Sequence, residues 1–145
     1  MPTSKFNWLS FLLVVFAASN CAVRAQSTPK SAKSVTGNYR LSKDESRNRL
    51  DVQQLAGGKI KFHLLALWAS HNNPDNIHNG ELQGIAKLEN GVAIYDRDAC
   101  KIKVEFFPNR ARVTQLEGSG CGFGANVTAD GTYRKLDSKK PKFDF

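Results

Sequence analysis

The chain has 145 residues, 21 Lys and Arg against 13 Asp and Glu, and a formal net charge of +8. That length suits one domain around a single core. The basic balance favours anionic surfaces such as lipid headgroups, cell-wall polymers or acidic proteins. The charges are scattered and no Lys/Arg block exceeds two, which argues against nucleic acid.

The first segment reads as an export signal. Lys5 supplies a positive start, and Trp8 to Ala18 (WLSFLLVVFAA) is an apolar run too short to span a bilayer comfortably. Val23-Arg24-Ala25 is a small-residue cleavage pattern, so residues 1–25 are expected to leave and Gln26 to begin the mature chain. The cut removes Lys5 and Arg24 and lowers the charge to +6. Ala18-Ser19-Asn20 before Cys21 gives a bacterial lipoprotein signal as the alternative, with Asn20 against it. No later stretch is long or apolar enough for a membrane helix. A periplasmic or secreted location follows.

Residues 26–33 (QSTPKSAK) read as a flexible lead-in, 34–138 as one β domain, and 139–145 (KKPKFDF) as a tail. Within the domain the hydrophobic period is two. Ile60, Phe62, Leu64, Ala66 and Trp68 share a face opposite Lys59, Lys61 and His63. Cys100, Ile102, Val104 and Phe106 share a face opposite Lys101, Lys103 and Glu105. This alternation marks half-buried antiparallel strands. Turn residues at Gly57-Gly58, Asn90-Gly91, Pro108-Asn109 and Asp130-Gly131 separate the runs.

The reading gives eight strands near 35–41, 48–55, 59–68, 80–88, 92–97, 100–106, 110–116 and 131–136. Even spacing and short links predict an up-and-down antiparallel meander closed into a small lipocalin-like barrel, with a β-sandwich as the alternative. Gly37-Asn38-Tyr39-Arg40 and Gly131-Thr132-Tyr133-Arg134 echo each other and read as closing strands lying side by side.

Ser70 to Asn79 (SHNNPDNIHN) is taken as the longest irregular link, at a barrel mouth where ligand contacts are often made. Its candidate binding residues are His71, Asn73, Asp75 and His78. The spacing of His71, Asp75 and His78 fits no recognised metal set, and solvated loop residues are the plainer reading.

Gly118 to Tyr133 (GSGCGFGANVTADGTY) is the most distinctive stretch. Gly120, Gly122 and Ala125 match G-x-G-x-x-G/A, but no helix can start before Asp130-Gly131, so a phosphate cradle is not expected. Cys100 and Cys121 lack C-x-x-C spacing, which argues against redox catalysis. Two cysteines in an exported chain favour a disulfide. If strands 100–106 and 110–116 form a hairpin, a bend allowed by the glycines brings Cys121 to Cys100. Gly118, Gly120, Gly122 and Gly124 either share one bare face of an extended segment or supply positive φ angles in a coiled one. Phe123 is expected to plug the barrel end, and Asn126 to turn the loop before Asp130 and Gly131.

Residues 80–136 resemble a group of small exported bacterial proteins of largely unknown function. The shared elements are Gly80-x-x-x-Gly84, a strand led by Cys100, and the block Cys121-Gly122-Phe123-Gly124-Ala125-Asn126-Val127-Thr128-Ala129-Asp130-Gly131-Thr132-Tyr133. Some members are grouped as lysozyme-inhibitor-like. The resemblance implies export, a β fold and the Cys100–Cys121 bridge, and it carries over no catalytic residue.

No nucleophile elbow surrounds Ser70 or Ser119, and no carboxylate pair suggests glycosidase chemistry. The terminal Phe143-Asp144-Phe145 is similar to the last strand of outer-membrane barrels, but outward Lys101, Lys103 and Glu105 oppose a membrane-spanning wall. The sequence therefore predicts a non-catalytic binding protein with no cofactor and no metal. Its expected partner is an anionic or amphipathic small molecule or an envelope protein. Inhibition of an envelope or host hydrolase is the alternative.

Overall fold

The structure, a computed structural model, describes residues 34–41, 48–73, 75–117 and 120–145. The expected signal, Cys21, the lead-in, Pro74, Gly118 and Ser119 lie outside the described residues. Eight strands follow in chain order: β1 (Gly37–Leu41), β2 (Arg49–Leu55), β3 (Lys59–Ala69), β4 (Ile77–Glu89), β5 (Val92–Arg97), β6 (Cys100–Phe107), β7 (Arg110–Glu117) and β8 (Gly131–Asp137).

Each strand pairs antiparallel with its sequence neighbour, and β1 pairs with β8 to close the barrel. The structure is thus the predicted closed meander and not a sandwich. The echoing segments do lie side by side, with Arg40 opposite Arg134 and Leu41 opposite Tyr133. Closure removes the open edges that eight strands would otherwise expose.

The period-two pattern decides what fills the inside. Ile60, Phe62, Leu64 and Ala66 of β3 and Cys100, Ile102, Val104 and Phe106 of β6 all point inward and are buried. Tyr39, Leu50, Val52, Val113 and Tyr133 complete the centre. Aromatic rings interlock edge to face across it, Tyr39 on Phe106 at 6.1 Å and Phe62 on Tyr95 at 5.5 Å between centroids. An eight-stranded barrel is narrow enough for side chains to fill.

The two glycines of β4 have a packing reason. A Cβ on Gly84 would lie 2.6 Å from the Tyr95 ring, and one on Gly80 would lie 2.2 Å from the Phe123 ring. Both face inward, and each lets an aromatic ring lie on bare backbone.

One boundary differs from expectation. β4 begins at Ile77, and His78 and Asn79 pair with Trp68 and Leu67 instead of belonging to the loop. Their polarity hides the strand from a hydropathy pattern, but the backbone ladder does not depend on it. The irregular link is therefore residues 70–76. The β7–β8 link, residues 118–130, is longer, so the Ser70 loop is not the longest.

Candidate functional site

Strand directions place the 70–76 loop, the Asp98-Ala99 turn and the 118–130 link at one end of the barrel. The other end carries the short turns and the C-terminal segment.

The 118–130 link is stitched across its end by several contacts. Cys121 is bonded to Cys100. The Gly120 amide donates to the Ala99 carbonyl at 3.0 Å, and a Cβ on Gly120 would sit 1.6 Å from the Asp98 carbonyl oxygen, so only glycine fits. Phe123 forms an isolated bridge with Gly80 and packs half-buried against the core. The Gly124 amide donates to Asn79 at 3.2 Å, and His78 Nδ1 lies 2.7 Å from the Ala125 carbonyl. Asp130 Oδ1 accepts from the Gln115 amide at 2.5 Å.

Residues 120–130 are coiled, not extended. Gly122 has φ +69° and Asn126 has φ +64°, while Gly120 and Gly124 serve close backbone approach. The expected bare glycine face of an extended segment is therefore not formed, and of Gly120, Gly122 and Gly124 only Gly122 supplies a positive φ.

The four candidate binding-loop residues do not act together. His71, Asn73 and Asp75 are exposed on the 70–76 loop. That loop is held by its own bonds, Asn76 N to Asn73 O at 3.0 Å and Asp75 N to Asn73 Oδ1 at 3.1 Å. His78 stands apart on β4, its ring 5.2 Å from that of Trp68 and its Nδ1 against the link. Among the described residues, no group of three or more His, Cys, Asp or Glu is arranged to hold a metal ion.

Asn48 was not singled out by sequence reasoning. Its side chain is buried, accepts from the Leu67 amide at 2.7 Å and donates to the Thr128 carbonyl at 3.2 Å. It ties β3 to the link that closes the barrel end. An isolated asparagine gives no such signal in a linear pattern.

Two concave surfaces lie on the outer wall. A groove of about 540 Å³ is lined by Phe107, Pro108, Asn109, Arg110, Thr132 and Arg134. A second, of about 610 Å³, runs between Gln53 and Lys61 on one side and Lys140 to Asp144 on the other. The C-terminal segment lies back against β3 here, with the Lys61 ammonium 5.2 Å and 4.1 Å from the Phe143 and Phe145 ring centres.

The charges on β6 are outward and mostly paired, Lys101 with Asp96 at 2.7 Å and Lys103 with Glu105 at 3.3 Å. No helix among the described residues is long and apolar enough to cross a membrane.

Comparison of the chain with family models, with curated proteins and with solved structures found no match. The site must therefore be read from its own geometry.

Proposed function

We propose that this chain is an exported, non-catalytic binding protein that holds its partner on the outside of the barrel. The observation that carries the reading is the interior: Tyr39, Phe62, Phe106 and Tyr133 are all buried in one core cluster, with Tyr39 and Phe106 edge to face. The 118–130 link, held by the disulfide, His78 and Asn48, crosses one end. The proposed interface is the wall and the exposed loops. A disulfide is at home in an exported protein, and alternating charged residues on the outer face suit a wall in contact with water.

Native mass spectrometry of protein purified from its source tests this. The expected species carries no small molecule in its lumen, begins at Gln26 and weighs two hydrogens less than the dithiol. A stoichiometric small molecule retained through exchange and shielded from solvent would overturn the outer-wall reading. An N-terminal lipid on Cys21 would move the protein to a membrane surface.

A second reading, inhibition of an envelope hydrolase, is favoured by one feature. Residues 71–73, 75 and 76 are exposed yet tied by local hydrogen bonds, which lowers the entropy lost on docking. Pull-down against cell-wall hydrolases tests it, with failure to retain or inhibit any of them counting against it.

A further inference from the structure

The outer wall contains a juxtaposition that sheet energetics disfavours. Arg40 on β1 lies opposite Arg49 on β2 and, on its other side, opposite Arg134 on β8. Arg134 lies in turn opposite Arg110 on β7. Their chain neighbours Tyr39, Leu50, Ala111 and Tyr133 are core residues, so alternation turns all four arginines outward. Arg40, Arg110 and Arg134 are exposed, and Arg49 is half-buried with its Nε 2.9 Å from Asp51.

One unbroken row of arginines thus crosses β2, β1, β8 and β7, with adjacent strands about 4.8 Å apart. Arg112, two residues beyond Arg110 on the same face, lies opposite Glu105 on β6 and is not part of the row. Asp51 lies beside Arg49 and Arg40 and offsets their charge, whereas Arg110 and Arg134 stand directly opposite on neighbouring strands, and like charges so placed destabilise a sheet. A local choice that works against the fold marks a position kept for something else.

A second observation points to a ligand. Arg110 and Arg134 line the groove of about 540 Å³ at the end of this row. The Arg110 guanidinium lies 4.8 Å from the Phe107 ring centre, which holds it in place before anything binds.

We propose that the row binds a flexible linear polymer of phosphate or sulfate groups. The planar guanidinium fork matches tetrahedral oxyanions two bonds at a time. The row spans four of the eight strands and so curves around half of the wall. A flat lipid surface touches a closed barrel along one strip of its wall, whereas the row runs across four strands. A flexible chain can follow the curve. Single-stranded nucleic acid would want an open aromatic platform, and the Phe107 ring in the groove is covered by Arg110. The proposal rests on the outer-wall reading and names its ligand class.

The experiment measures binding of the full mature protein to heparin and to long-chain inorganic polyphosphate across a salt series; the two probes distinguish sulfate from phosphate. Affinity is expected to fall linearly with salt on logarithmic axes. The Arg110→Gln/Arg134→Gln variant is expected to lose at least about tenfold in affinity, and its salt slope to shrink by about two ionic contacts. Its melting temperature without ligand should hold or rise, because opposed like charges are relieved.

Lys87→Gln/Lys101→Gln removes the same charge elsewhere on the wall and should change affinity less than about threefold. An equal loss in the lysine variant would reduce the effect to net charge and overturn the site. Unchanged affinity and slope in the arginine variant would do the same, as would arginine-dependent binding to anionic phospholipid vesicles with no binding to either polymer. A native partner held equally by wild type and arginine variant would overturn the row and leave outer-wall binding standing, whereas a molecule found in the lumen would overturn outer-wall binding itself.

Discussion

Tyr39 on β1 and Tyr133 on β8 make the same hydrogen bond. Each fully buried hydroxyl donates to the backbone carbonyl four residues earlier, Tyr39 to Val35 at 2.7 Å and Tyr133 to Ala129 at 2.8 Å. The two bonds lie on the strands that close the barrel, and each anchors the segment entering its strand. Tyr39→Phe and Tyr133→Phe are each expected to cost about 1 kcal/mol, because a buried carbonyl loses its donor while the ring stays packed. Urea unfolding checks this, with the midpoint falling and the slope constant.

The same burial gives a pH dependence. It pushes both phenols well above the ordinary tyrosine range, with desolvation the largest cause in each. The folded state therefore keeps its protons where the unfolded chain releases them. Stability is present in full below the unfolded value of about 10 and falls as pH climbs from there toward the folded value. The slope approaches about 1.4 kcal/mol per pH unit for each tyrosine. Denaturation curves between pH 9 and about 12 should show the loss, and either Tyr→Phe variant should flatten it.

The Cys100–Cys121 bond spans 21 positions in sequence and fixes the closing link to β6. Cys100→Ser/Cys121→Ser should lose about 3 kcal/mol through the freed entropy of the unfolded chain. The melting temperature should drop by about 10–20 °C in calorimetry. The barrel register should survive, since the strand ladder does not depend on the bond.

Phe123 and Gly80 form one packing unit. Phe123→Ala is expected to destabilise by about 2 kcal/mol, less than a fully buried phenylalanine because its ring is half-buried. Gly80→Ala should cost about 1–3 kcal/mol, because the new methyl meets both the ring and the backbone of Phe123. The double variant should cost less than the sum, since removing the ring removes part of the clash. Thermal melts of all four proteins close the cycle.

Much of this barrel was legible from local pattern. Alternation along Ile60 to Ala66 and along Cys100 to Phe106 assigned the inward residues, because a strand has only two faces. Turn residues at Asn90-Gly91 and Pro108-Asn109 gave the hairpins. The start of β4 was missed because His78 and Asn79 look like loop residues, and only pairing with Trp68 and Leu67 makes them strand. The candidate loop set split for the same reason, leaving His78 on the link and His71 in the open.

The amino-acid order by itself determined the β class, the strand count, the barrel's inward face and the cysteine pairing, since each depends on short-range periodicity, turn chemistry or a hairpin return. Tertiary structure alone decided that Phe123 lies on Gly80, that Asn48 ties β3 to the distant link, and that Arg49, Arg40, Arg134 and Arg110 stand in one row. The physical reason is register. Which residue faces which across two strands depends on how the whole sheet closes, and that closure is a property of all eight strands together.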